Sequence, residues 1–206
     1  TVPGFGDYVY DGTYGNNFIK AMIVYNGELI VAGAFRTADG DPGNHIAKWN
    51  GSTWSALGSG TDFIVSSLEV FEGELYAGGY FNNAGGVAAQ GIAKWSALTQ
   101  SWSAVGAQNL VNVYDVKVYK NELYVSGDFN YGSTEPHYVA QFDGTNWVAI
   151  GDQLSNLTRK LEVYDNDLYA GGNFASNEPT TTQLNSIGRY YNCDLSLTSA
   201  TGDSLI

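Results

Sequence analysis

One phrase is written four times along this chain. Val24-Tyr25-Asn26-Gly27-Glu28-Leu29, Val70-Phe71-Glu72-Gly73-Glu74-Leu75, Val118-Tyr119-Lys120-Asn121-Glu122-Leu123 and Val163-Tyr164-Asp165-Asn166-Asp167-Leu168 share one pattern, and their leucines stand 46, 48 and 45 residues apart. A fixed period of this length restricts the chain to architectures that stack one unit repeatedly, because a single unit cannot bury its apolar faces alone. The register extends well past the phrase. Gly33 and Phe35, Gly79 and Phe81, Gly127 and Phe129, and Gly172 and Phe174 fall in columns, followed by a polar loop and a third apolar segment at Ile46 to Trp49, Ile92 to Trp95, Val139 to Phe142 and Ile187 to Tyr190. Trp54, Trp102 or Trp147 then leads to Gly58, Gly106 or Gly151, so all five tryptophans lie in two columns of the repeat.

Each unit reads as four short strands, with hairpin signals at Asn50-Gly51 and Asp143-Gly144. Twenty-six Gly, fifteen Tyr and one Met suit tight turns and pleated surfaces better than helices. Four strands per unit is the blade of a β-propeller, and the expectation is an all-β fold of about four blades, with the aromatic columns filling the space between them. Shifting the first repeat back by one period puts Tyr8 in the Trp54 column and Gly12 in the Gly58 column, while the last unit stops after its third strand. Residues 8 to 12 are therefore expected to pair with Ile187 to Tyr190 and close the ring, hiding sheet edges. The alternative is a segment of a larger ring. Residues 1–192 form the propeller on this reading, and residues 193–206 are a tail or the lead-in to a further module.

The Tyr76-Ala77-Gly78-Gly79 stretch, Trp95 and the later Trp102-Ser103-Ala104-Val105-Gly106 resemble a kelch repeat. The recurring Leu-Tyr-x-Gly-Gly-x-Phe and Ala-Lys-Trp-Asn-Gly-Ser-x-Trp phrasing is similar to repeats in large exported surface proteins of Bacteroidetes-type bacteria, and more distantly to fungal cortical polarity markers. The resemblance covers residues 8 to 191 and implies the propeller fold. For function it implies adhesion, protein docking or glycan binding, and for a few such propellers oxidase chemistry.

Nine basic against twenty-one acidic residues give a formal charge of -12, which repels a phosphate backbone and argues against nucleic acid as a partner. No apolar run reaches the roughly 20 residues that span a bilayer. The chain opens Thr1-Val2-Pro3, without a charged-then-apolar leader. Acidic charge with many Thr, Asn and Gly fits an extracellular or cell-surface protein. Cys193, the lone cysteine, is either buried and inert or paired beyond residue 206.

Evidence for catalysis is thin. His45 and His137 occupy different repeat positions and have no cysteine nearby, which suits structural or solvated roles better than a metal site. Arg36, Arg159 and Arg189 are the only arginines and sit in three different strand contexts, which is unlike a sialidase triad. Cys193 lies outside the repeat, where it cannot serve a copper radical oxidase. The loop Ala38-Asp39-Gly40-Asp41-Pro42-Gly43-Asn44 alternates oxygen donors with glycines, as a Ca²⁺ loop requires, and Asp39, Asp41 and Asn44 are its candidate ligands; an ordinary turn is the alternative. No other cofactor is expected. Glu28, Glu74, Glu122 and Asp167 form an acidic column, either a carboxylate ring or solvated hairpin ends. In the first strands, Ile23, Glu69, Lys117 and Glu162 approach the axis, and Lys117 is expected to neutralise a flanking glutamate.

The expected function is a non-catalytic binding or scaffold module for a protein or an extracellular glycan. A glycan-active hydrolase or lyase is the alternative, and a structural spacer is a third. Contacts are expected in the loops between second and third strands, which vary while the strands repeat, at Asp39, Asp41, Asn44, Asn82, Gln90, Glu135, His137 and Asn177.

Overall fold

The computed structural model describes residues 18–36, 43–107, 110–129, 137–150, 156–173, 187–191 and 194–197. Blade one consists of β1 (Phe18–Tyr25), β2 (Glu28–Ala34), β3 (Ile46–Trp49) and β4 (Trp54–Ala56). Blade two begins with β5 (Val65–Phe71) and β6 (Glu74–Gly79), inserts a small hairpin of β7 (Asn83–Ala84) and β8 (Val87–Ala88), and ends with β9 (Ile92–Ser96) and β10 (Ser101–Ala104). Blade three is β11 (Asn112–Tyr119), β12 (Glu122–Phe129), β13 (His137–Phe142) and β14 (Trp147–Ala149). Blade four is β15 (Thr158–Tyr164), β16 (Asp167–Gly172), β17 (Ile187–Tyr191) and β18 (Asp194–Leu197). In each blade the strands are ordered as in the chain and pair antiparallel, giving a four-bladed β-propeller arrangement.

The repeated phrase is the turn between first and second strands. Both central residues are left-handed in all four copies, at Asn26-Gly27, Glu72-Gly73, Lys120-Asn121 and Asp165-Asn166. That is the type I′ geometry whose twist matches the flanking strands, and Asn and Gly meet it at least cost. Between third and fourth strands, the Asn50 carboxamide oxygen accepts from the Ser52 and Thr53 amides, and the Asp143 carboxylate accepts from Thr145 and Asn146. These side chains do the work of a backbone turn.

Burial lies between blades. Tyr25, Ile30 and Ile46 of blade one pack against Leu68, Leu75, Trp95 and Trp102 of blade two. Tyr76 and Ile92 of blade two meet Val116, Leu123, Val125 and Trp147 of blade three, and Tyr119, Tyr124 and Val139 of blade three meet Leu161 and Leu168 of blade four. Every interior blade thus presents a trailing face, built from the Tyr25 and Ile46 columns, to the leading face of its successor, built from the Leu68 and Trp102 columns. As expected from their columns, Trp54, Trp102 and Trp147 are all buried.

The outer edge of blade four differs from expectation. β17 pairs on its outer side with β18, Gly188 opposite Leu197 and Tyr190 opposite Leu195, so the fourth strand is Asp194–Leu197 and not residues 8 to 12. A strand that follows β17 directly closes a shorter loop than one from the far end of the chain. It escaped the pattern because Asp194-Leu195-Ser196-Leu197 carries no tryptophan, and it falls in the stretch assigned to the tail. Residues 8 to 12 themselves lie outside the described residues.

The glycine column has a steric cause. A Cβ on Gly33, Gly79, Gly127 or Gly172 would stand 2.1 to 2.2 Å from the carbonyl oxygen of Phe18, Ile64, Asn112 or Leu157 respectively. At the same level each first strand carries a β-bulge, so that Lys20, Ser66, Tyr114 and Arg159 are the extra, unpaired residues. The bulge brings the first strand's backbone against the second, and only glycine leaves room for it.

Candidate functional site

The four bulges occur where the innermost strands begin, at the end of the propeller from which the loops between second and third strands emerge. A bulge re-aims a side chain, and three of these bulge residues, Lys20, Tyr114 and Arg159, meet in one group with Tyr80. Lys20 Nζ stands 5.2 Å from the centroid of the Tyr80 ring, the Tyr80 and Tyr114 rings are 5.7 Å apart and tilted by 51°, and the Arg159 guanidinium lies 5.5 Å from the Tyr114 centroid. A cation, two half-buried phenols and a second cation therefore neighbour one another in turn across blades one to four. Lys20 and Arg159 are exposed, and the Ser66 hydroxyl is buried beside Tyr80.

Partial desolvation lowers the pKa of the largely exposed Lys20 amine below the usual lysine range, and the Arg159 charge lowers it further. Burial pushes the Tyr80 phenol up, with Tyr114 adding to the effect and Arg159 opposing it; Tyr114 is raised by burial and then by Asp128. Both phenols are thus neutral hydrogen-bond donors at physiological pH, poor bases and poor nucleophiles. The Lys20 and Arg159 charges act on each other here, and the Asp128 carboxylate acts on Tyr114 in the same group.

A buried polar chain supports the mouth from one layer below. Asp115, 1% exposed, accepts from the Ser67 hydroxyl at 2.7 Å, from Lys160 Nζ at 2.9 Å and from the Leu161 amide at 2.8 Å, while Ser67 Oγ accepts from the Val116 amide at 3.1 Å. One carboxylate thereby ties blades two, three and four together with all its main contacts satisfied.

Further along the axis, Lys117 pairs with Glu162 at 2.6 Å, as expected from their columns, and this hydrogen bond holds the Glu162 carboxyl below its usual range. The acidic column is not a free carboxylate ring. Glu28 pairs with Lys48, Glu74 with Lys94 and Asp167 with Arg189, and Gln141 donates to Glu122. Two clefts of about 160 and 350 Å³ open between blades one and two and between blades two and three; each contains one of these lysines, Lys48 or Lys94, with its amine already engaged.

Of the loop residues expected to bind, Asp39, Asp41, Glu135 and Asn177 lie outside the described residues, as does the side chain of His137, whose backbone opens β13 opposite Phe129. The structure gives Asn44, Asn82 and Gln90 scaffold contacts. Asn44 Nδ2 donates to the Ser59 carbonyl, and the Asn44 carbonyl accepts from the Thr61 amide, which ties the loop to the connection between blades. The Asn82 amide donates to Asp62, and the Asn82 carbonyl accepts from the Ala89 and Gln90 amides. Burial opposes ionisation of Asp62, but donors from Asn83 and Asn82 outweigh it and hold the carboxyl low. His45 is buried against Phe63 in a left-handed conformation, its pKa lowered by burial, consistent with a structural role.

Lys20, Tyr80, Tyr114 and Arg159 were not singled out as a group by the sequence. The available signal was the glycine column, which marks a layer where the first strand is displaced, together with the variable column opposite it.

These features define a four-bladed β-propeller with an aromatic and cationic mouth on its long-loop face. No family model matches the chain, and no curated protein matches it. Among solved structures it is similar to the computationally designed Ika4 protein, with a TM-score of 0.54 and 12% identity over 87% of this chain and 94% of that one. It is also similar to the computationally designed Ika8 protein, at 0.50 and 15% identity over 84% of this chain and 45% of that one. The likeness establishes the fold alone.

Proposed function

We propose that this chain is a non-catalytic, extracellular binding module of kelch-like repeats, and that its ligand is an acidic glycan gripped at the axial mouth. The observation that carries the reading is the Lys20, Tyr80, Tyr114 and Arg159 row. Sugar rings offer C–H faces that pack on phenols, and a uronate carboxylate fits between an amine and a guanidinium, which can bind it in a two-pronged way. The overall acidity of the chain does not forbid this. Charges more than about 8 to 10 Å away are screened at physiological salt, whereas the two cations act at contact. Long loops around the same mouth would supply selectivity on a rigid frame.

The test is calorimetric titration with a short oligogalacturonate and with its neutral reduced counterpart. Binding of the acidic oligomer that weakens with salt and is lost in Lys20→Ala/Arg159→Ala supports the reading. Equal affinity for both oligomers, or binding indifferent to that double substitution, overturns it.

A further inference from the structure

The two clefts at the blade boundaries are one site written twice. Between blades one and two, Lys48 and Glu28 stand beside Ile30 and Leu57, with Trp95 and the β9–β10 turn at Ala97 and Gln100 opposite them. Between blades two and three the same columns supply Lys94, Tyr76 and Val105, with Phe142 and the β13–β14 turn at Gly144 and Thr145 opposite. Strand register fixes the correspondence, since Lys48 pairs with Ile30 and Lys94 with Tyr76. Antiparallel order puts these turns at the end of the propeller opposite the mouth.

The ion pair gives each cleft its chemistry. Lys48 donates to Glu28 and Lys94 to Glu74, and the four side chains are 28 to 35% exposed. An ammonium has three donors and a carboxylate about four acceptor sites, so each pair keeps hydrogen-bonding capacity on its open side. The pair is also net neutral. It therefore suits an uncharged ligand whose adjacent hydroxyls accept from the amine and donate to the carboxylate together. The third boundary shows the contrast. There Gln141 takes the lysine column, Gln141 and the Tyr124 hydroxyl both donate to Glu122 at 2.9 Å, and the rings of Tyr119, Tyr124 and Tyr190 pack on one another across the boundary.

We propose that both clefts bind the pyranose ring of a neutral sugar, its vicinal hydroxyls on the lysine–glutamate pair and its C–H face toward Trp95 in the first cleft and Phe142 in the second. Volumes of about 160 and 350 Å³ lie near or below the lower end for small-molecule pockets, so each takes one ring and not an extended chain. Two copies on one rigid frame let a branched neutral glycan engage both at once. These sites lie away from the mouth and do not depend on its ligand.

Nuclear magnetic resonance of the isotope-labelled full chain, titrated with the methyl pyranosides of glucose, galactose and mannose, tests the proposal. At least one of the three is expected to shift the backbone amides of Ala97 and Gln100 and those of Gly144 and Thr145. Lys94→Gln, which gives blade two the side chain that blade three carries in this column, is expected to weaken the second cleft about tenfold and leave the first unchanged; Lys48→Gln is expected to do the converse. Ala104→Trp, at the exposed rim of the second cleft, fills it with the ion pair intact and is expected to abolish the Gly144 and Thr145 shifts. An oligogalacturonate is read in the same spectra at the Tyr80 and Tyr114 amides, so mouth and clefts stand or fall separately. No shift at either cleft with any of the three glycosides, affinities that both lysine substitutions leave at the parent value, or Gly144 and Thr145 shifts that survive Ala104→Trp would each overturn the proposal.

Discussion

The indole N–H of Trp102 donates to the Leu57 carbonyl at 2.8 Å across the boundary between blades one and two, and Trp147 repeats the contact to Val105 at 2.9 Å across the next. The tryptophan column therefore both fills the interblade space and satisfies a carbonyl at the end of the preceding blade's fourth strand. Replacing Trp102 or Trp147 by Ala should cost about 3 to 5 kcal/mol, and by Phe, which keeps most of the ring, about 1 to 2 kcal/mol. Denaturant melts of the four variants would check both figures, and equal losses for Ala and Phe would show that packing is not the main contribution.

Asp115 is the point where three blades share one carboxylate. Asp115→Ala leaves the Leu161 amide and the Ser67 hydroxyl without their acceptor, while Lys160, which is mostly exposed, can turn to water. A loss of about 2 to 4 kcal/mol is expected from the stranded donors. Lys160→Met should cost far less, and a loss as large as that of Asp115→Ala would mean that the ion pair, not the buried hydrogen bonds, holds the blades.

Gly79 faces the Ile64 carbonyl at the bulge of blade two. Gly79→Ala forces that backbone apart and should destabilise by about 1 to 3 kcal/mol. Because Tyr80 follows directly, oligogalacturonate affinity should fall as well, even where the variant remains folded. Gly51→Ala, at an open turn, should leave binding unchanged and lose only the smaller cost of a left-handed residue.

Burial raises the phenols of Tyr76, Tyr80, Tyr114, Tyr124 and Tyr138. Above about pH 10 the unfolded chain ionises these groups first, so it binds fewer protons than the folded one and stability falls as pH rises. Their contribution is complete below pH 10. Phenolate absorbance of the native protein should lag behind that of the denatured protein in an alkaline titration. Superimposable curves would contradict the burial of these rings.

Lys20 has the opposite sign. Its folded pKa lies below the unfolded value, so the charged amine disfavours the fold at neutral pH, and this penalty disappears as pH rises through the lysine range. Arg159→Gln should raise the Lys20 pKa toward its ordinary value, which nitrogen-detected NMR of the amine would read directly. An unchanged pKa would separate the two cations and weaken the case for a single mouth.

Much of this was legible in one dimension. The repeat, the four turns, the burial of the tryptophans and the Lys117–Glu162 pair all follow from columns, because strand alternation and turn geometry are local and every unit obeys them alike. The fourth strand of blade four was not legible, since Asp194–Leu197 shares no side-chain pattern with its counterparts and is specified only by pairing with β17. Nor was the mouth. Lys20, Tyr114 and Arg159 lie two periods and then one period apart, and the sequence by itself could place them in one column without showing that the column bulges toward the axis. Only the stacking of the blades decides that, because the bulge depends on how closely the first strand approaches the second, and the distance between side chains of different blades depends on the turn from each blade to the next.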